Sequence, residues 1–178
     1  AQRFLPRPVF GYIAGAAETN AARQDNRDVF GTYGFLPRTL RAVRQRTTST
    51  ILFGHDYAVP FGISPMGLSA LAAYRGDIVL AKAAAQLNMP MVISGTSLIR
   101  LEDIAAVAPQ SWFQAYLPGE VEKIIALLDR VAAAGLQTLV LTVDTSILGN
   151  RENHTRNGFS TPLKPSLRLA FDGAIRPQ

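Results

Sequence analysis

The chain contains no cysteine, which excludes disulfides and thiolate chemistry. It has two histidines, His55 and His154, too few for a histidine-rich metal centre, and no metal site is expected. No apolar run is long enough to cross a bilayer. No signal-peptide pattern stands at the start, where Arg3, Pro6, Arg7 and Pro8 interrupt the apolar residues. These absences fit a cytoplasmic protein, with association to a membrane surface left open. Charge is sparse as well: 17% of the 178 residues are charged and 48% are hydrophobic, enough for one globular domain with a real core. The net charge of +5 comes mostly from arginine, densest at Arg38, Arg41, Arg44 and Arg46. No nucleic-acid motif accompanies that cluster, so it reads as a solvated connector and no nucleic-acid partner is expected.

What is present, after residue 60, is alternation. Short apolar runs at Phe61–Ser64, Met91–Ser94, Trp112–Tyr116 and Thr138–Val143 read as strands. Between them, Asp77–Leu87, Leu101–Val107 and Gly119–Ala134 have helical patterning, the last with Val121, Ile124, Ile125, Leu128 and Val131 at helical spacing. Gly135 is placed to cap that helix. Strand–helix alternation of this kind predicts a parallel sheet with right-handed crossovers. Residues 1–60 break the rhythm and are expected to form an N-terminal extension. It would hold a helix over Pro8–Ala14, a second over Thr19–Phe30 with Thr19 as N-cap, and two short strands around a turn at Gly54-His55-Asp56.

The expected strands end in Ser64, Ser94, Gln114 with Tyr116, and Thr142 with Asp144. Polar groups therefore gather at the C-terminal ends of successive parallel strands, which is where an α/β barrel builds its site. A Rossmann sheet would also bind there, but Ser64-Pro-Met-Gly67 is not its glycine-rich turn. The expected fold class is thus an α/β, (β/α)8 TIM barrel. A complete barrel takes about 250 residues. Four strands are half of one, so residues 61–178 are expected to be the first half of the barrel, partnered by a C-terminal half.

The stretch Leu139–Phe159 carries Leu-Thr-Val-Asp144, then Gly149-Asn-Arg151-Glu152, then Arg156-Asn-Gly-Phe159. Together with Val9–Glu18 and Ser64–Gly67, it resembles the FMN-dependent 2-hydroxy acid oxidases and dehydrogenases, the family of glycolate oxidase and of lactate and mandelate dehydrogenases. The motifs occur in the family's order along nearly the whole chain, with departures at Ala16, Thr19 and Asn150. The resemblance implies FMN as cofactor, a small 2-hydroxy acid as substrate and a homo-oligomer, a tetramer. It implies that Pro65, Met66 and Gly67 run along the flavin, and that Ser94, Gln114 and Thr142 hydrogen-bond its ring system. Tyr12 and Arg151 would hold the substrate carboxylate, Tyr116 its hydroxyl, and Asp144 the histidine that serves as base. An amide beside hydroxyls suits an edge where acceptor and donor alternate, and a guanidinium fork suits a carboxylate. The family's base histidine, flavin-facing lysine, second arginine and phosphate loops match nothing in these residues. His55, in the expected turn, and His154, in the expected loop, both read as surface residues. The rival readings are another flavin- or phosphate-binding barrel and an inactive half-barrel that needs its C-terminal partner.

Overall fold

A computed structural model describes residues 1–117, 119–145, 147 and 149–176. Ser146 and Leu148, inside the long motif, lie outside the described residues. The helices are α1 (Arg7–Ala14), α2 (Ala21–Asp28), α3 (Gly76–Gln86), α4 (Leu101–Ala105), α5 (Val121–Ala133), α6 (Glu152–Asn157) and α7 (Leu167–Ala174). The strands are β1 (Thr50–Leu52), β2 (His55–Tyr57), β3 (Val92–Ser94), β4 (Trp112–Ala115) and β5 (Leu139–Leu141). The chain divides into two compact units, one of residues 43–146 and one of residues 1–42 with 147–178.

In the 43–146 unit, β3, β4 and β5 form a parallel sheet in sequential order. Their register sets Ser94 opposite Gln114, and Gln114 opposite Val140. The ladder continues past the strand ends, through Phe113 N–H to Thr138 O (2.9 Å) and Thr142 N–H to Ala115 O (3.1 Å). The expected strand at Phe61–Ser64 is reduced to a single bridge, Ile63 with Met91. Pro60 and Pro65 flank that segment and Pro90 faces it; each removes a backbone donor, and the ladder has little left to extend on. Ile93, Ile104, Phe113 and Ala115 on β3, α4 and β4 form the centre of the core, with Ile78, Ala81 and Ala84 of α3 packed against them.

The apolar stripe on α5 divides. Ile124, Leu127 and Val131 turn inward, whereas Val121, Ile125 and Leu128 remain exposed. Leu139 and Leu141 of β5 are likewise exposed, at an edge that pairs with no other strand among the described residues.

Three helices end by one device. Asn88, Gly135 and Gly158 each adopt positive φ immediately after a helix. The next residue's N–H then reaches back five positions: Met89 to Ala84 O, Leu136 to Val131 O, and Phe159 to His154 O. This is the Schellman closure, which also brings the two residues it joins into apolar contact. Val131 and Leu136 are each 5% exposed, so the closure of α5 doubles as a core contact that aims the chain into β5.

In the hairpin, the turn falls at Phe53-Gly54, so His55 and Asp56 are strand residues and not turn residues. Gly54 supplies the positive φ the tight turn requires. The hairpin packs on β4: Trp112 Nε1 donates to the Tyr57 hydroxyl at 3.2 Å, and Phe53 meets the indole edge-on at 5.1 Å.

In the second unit, α2 starts at Ala21, so Thr19 is not its cap. Asn20 stands at that position, and its side-chain oxygen instead accepts from Asn153 Nδ2 at 2.7 Å. Glycine lets α1 and α6 approach closely. A Cβ at Gly11 would overlap the Asn157 side chain, and one at Gly15 would sit 3.0 Å from Asn153 Cβ. Gly11 and Gly15, one turn apart, thus receive Asn157 and Asn153, also one turn apart. Helix α6 lies where the sequence suggested a loop, and α7 falls in residues for which no element was expected. Ser166 caps α7 by accepting from Leu169 N–H at 3.1 Å.

Two outcomes follow for stability. Gly135→Ala places a Cβ on a residue at φ +81° and is expected to cost about 1 kcal/mol. A denaturant titration of the complete protein reads this as a lowered midpoint, and an unchanged midpoint contradicts the role given to the closure. The second concerns Glu102 of α4, held by Arg130 of α5 through Nε (2.6 Å) and a second guanidinium nitrogen (3.0 Å). The Arg130 hydrogen bonds, then the Glu102 backbone N–H, hold its carboxyl at about 2, below the ordinary 4.5. A depressed carboxyl stabilises the fold above its ordinary value, and that stabilisation is lost as pH falls toward the folded value. The pair is solvent-exposed, so the effect is small. Arg130→Met is expected to flatten the acid limb of stability between pH 4.5 and about 2; an acid limb identical to wild type would contradict it.

Candidate active site

At the C-terminal ends of the sheet strands, polar side chains form one connected row. Gln114, the third residue of β4, is 1% exposed. The backbone N–H of Gly95 donates to Gln114 Oε1 at 3.1 Å. A backbone N–H can only donate, so this bond fixes which end of the amide is oxygen. The amide nitrogen is left facing β5, where Nε2 donates to Thr142 Oγ1 at 2.8 Å. Thr142 accepts there, so its own hydroxyl hydrogen is free to donate elsewhere, as is the second N–H of Gln114.

The row continues on the other side. Ser94, at the end of β3, accepts from Thr96 N–H (3.2 Å) and pairs with the Thr96 hydroxyl (3.0 Å). Thr96 O in turn accepts from Leu68 N–H at 3.4 Å. A Cβ on Gly67 would overlap Thr96 Oγ1. Gly67 is therefore required by the neighbouring loop, a nearer cause than the approach of a flat ring. The structure brings together Gly67, Ser94, Gln114 and Thr142, with Gly95 and Thr96 as their connectors. Gly95 and Thr96 were not singled out from sequence.

The remaining expected residues of this unit are open to solvent. Pro65 and Met66 are exposed on the loop before Gly67. Tyr116 and Asp144, each two residues beyond a member of the row, are exposed and make no side-chain hydrogen bond among the described residues.

Tyr12 and Arg151 belong to the other unit. Tyr12 lies on α1, beside the Gly11 contact. Its ring stacks on Phe159 at 4.4 Å between centroids and lies 5.2 Å from the His154 ring, tilted by 48°. His154 and Phe159 meet edge-on at 5.3 Å. His154 is thus half-buried on helix α6, not a surface residue in a loop. Burial, and secondarily the Arg151 guanidinium, push its pKa below the ordinary histidine value, so the imidazole is neutral near pH 7. Arg151 is exposed and occupies the position just before α6.

The donor set of the first row fits the pyrimidine side of a flavin. That edge alternates acceptor, donor and acceptor; the row offers a hydroxyl and an amide N–H as donors and two hydroxyl oxygens as acceptors.

The description FMN-dependent dehydrogenase matches residues 1–178 as a family, and the chain belongs to that family. It is 40% identical over 162 residues to an L-lactate oxidase of Lysinibacillus sphaericus (strain C3-41), covering 90% of this chain and 42% of the relative. It is 33% identical over 180 residues to an (S)-mandelate dehydrogenase of Pseudomonas putida, covering 99% of this chain and 45% of the relative. The crystal structure of the monotopic membrane protein (S)-mandelate dehydrogenase superposes with a TM-score of 0.90 at 33% identity, over 99% of this chain and 47% of that one. The chain therefore spans somewhat less than half the length of these relatives. No described helix is long and apolar enough to cross a membrane.

The polar row makes one stability prediction that does not depend on flavin. Gln114→Leu, which removes the amide, strands the Gly95 N–H and is expected to cost about 1–3 kcal/mol. Denaturant unfolding of the complete protein measures it; wild-type stability in that variant would mean the Gln114 bonds carry nothing.

Proposed function

We propose that these residues are the first half of a (β/α)8 barrel flavoenzyme that oxidises a small L-2-hydroxy acid to the 2-oxo acid. Residues 1–60 are the extension and 61–178 the first part of the FMN-binding barrel, completed by a C-terminal half of the same barrel. The observation that carries the reading is the buried Gln114 amide at the strand ends, fixed in orientation by Gly95 N–H and hydrogen-bonded to Thr142. Membership of the family supplies the cofactor. Relatives named for L-lactate and (S)-mandelate support a small hydroxy acid as substrate. The quaternary state that goes with the reading is a homotetramer, in the cytoplasm or at the membrane surface.

Within that site, Pro65, Met66 and Gly67 form the loop along the flavin, and Ser94, Gln114 and Thr142 hold its ring edge. Residues of this row would hold FMN, which when bound would supply the acceptor for the two electrons of the oxidation. The protein's part is orientation and charge. Arg151 binds the substrate carboxylate with its planar fork of donors, and Tyr12 donates to the same carboxylate. Tyr116 hydrogen-bonds the substrate hydroxyl. Asp144 stabilises the positive charge that develops on the histidine base as it takes the proton, and favours that proton transfer.

Anaerobic addition of L-lactate, glycolate or L-mandelate to the complete FMN-loaded protein tests the reading. At least one is expected to bleach the flavin absorbance; no bleaching by any of the three contradicts the function. In Asp144→Asn, bleaching is expected to slow by on the order of a hundredfold while FMN stays bound. An unchanged rate would take Asp144 out of the mechanism.

A further inference from the structure

The aromatic group on α1 and α6 contains a residue to which the functional reading gives no task. His154 is half-buried, and its ring faces Tyr12 and Phe159 together. Its place is set by backbone geometry. Gly158, at φ +73°, ends α6, and Phe159 N–H then bonds back to His154 O at 2.9 Å. That closure brings the residues at its two ends into side-chain contact, and here both carry rings. Tyr12 reaches them because Gly11, the residue before it, leaves room for Asn157 of the same helix. Three rings thus meet pairwise, with centroids 4.4, 5.2 and 5.3 Å apart. Tyr12 is stacked on one face by Phe159 and bounded by His154, which leaves its ring little freedom to swing.

We infer that His154 is a positioning residue: its ring and that of Phe159 clamp Tyr12, so that the Tyr12 hydroxyl is presented to the substrate carboxylate in one orientation. The inference rests on the proposed function, since it gives Tyr12 its partner. A neutral ring suits this place. An imidazolium beside the Arg151 guanidinium would repel it and lose hydration, and both effects hold the imidazole neutral. His154 touches neither substrate nor flavin in this scheme and acts through Tyr12. The carboxylate is itself neither made nor broken in the oxidation and is present in substrate and product alike, so a loosened Tyr12 is expected to weaken binding of substrate and transition state alike. The loss then appears in KM and leaves kcat in place.

The test uses the complete holoenzyme with His154→Gln and His154→Phe, each alone and in a Tyr12→Phe background. His154→Gln removes the ring and is expected to raise KM for the hydroxy acid by on the order of tenfold, with kcat within about twofold. His154→Phe keeps a ring and is expected to restore KM. In the Tyr12→Phe background, His154→Gln is expected to add less than about twofold, since the group it acts through is gone. Two readouts stand apart from turnover. One is the calorimetric affinity for the 2-oxo acid of whichever hydroxy acid bleaches the flavin (pyruvate for L-lactate), expected to follow KM. The other is the fluorine NMR line of 3-fluorotyrosine at position 12, identified by its loss in Tyr12→Phe and expected to shift in His154→Gln. A Tyr12 line that does not move, a change in kcat alone, or the same KM increase with and without the Tyr12 hydroxyl would each overturn the inference. Failure of the parent reading is distinguishable: wild-type flavin would then be bleached by no hydroxy acid, and the inference would fall with it.

Discussion

Burying an amide costs several kcal/mol unless its donors and acceptor find partners. Gln114 meets that condition with groups contributed by two neighbouring strands. Its oxygen takes the Gly95 N–H beyond β3, and its nitrogen gives to the Thr142 hydroxyl beyond β5. The arrangement requires the parallel register that sets Ser94 opposite Gln114. A slip by one residue would turn the amide to the other face of the sheet. The Gly95–Ser94–Thr96 turn depends on the same register, and through Thr96 it holds the Leu68 backbone and leaves space only for glycine at position 67. One satisfied buried amide therefore organises the strand ends that are proposed to receive the flavin.

A second constraint works independently in the other unit. The pairing of Gly11 and Gly15 with Asn157 and Asn153 brings α1 and α6 together, and Asn153 also bonds to Ala16 O at 2.9 Å. Tyr12 can meet His154 and Phe159 only at that short helix separation. Both units use the same ending for a helix, a left-handed residue followed by a ring or aliphatic side chain that folds back, at Gly135 with Leu136 and at Gly158 with Phe159. In one case the result is a core contact; in the other it is a set of rings around a tyrosine.

Much of this was legible in the residues. The run Thr138–Val143, bounded by Gly135 and ending in Thr142 and Asp144, has no competing interpretation by length or β-branched content. The clustering of Ser94, Gln114 and Thr142 followed from their shared place at strand ends. What escaped has physical causes. Residues 61–64 look like a strand by composition, but prolines on both sides of the pairing limit it to one bridge. Asn20, and not Thr19, stands before α2, because its side chain is drawn to Asn153, distant in sequence. Helix α6 has no apolar period of its own; it is held by the glycines of α1. His154 looked like a surface histidine because the rings that bury it come from a helix about 140 residues earlier and from beyond a glycine turn. Helix α7 did leave a signal, Ser166 ahead of Leu-Arg-Leu-Ala-Phe, an N-cap before an apolar run.

The central claim is that the row from Ser94 through Gln114 to Thr142 reads the pyrimidine edge of bound FMN. A crystal structure of the complete FMN-loaded protein tests it most directly. The account predicts the Gln114 amide and Thr142 hydroxyl within hydrogen-bond distance of that edge, with Gly95 N–H still on Gln114 Oε1. A flavin whose pyrimidine edge lies against other residues, with the Gln114 and Thr142 groups bonded only to each other, would contradict it.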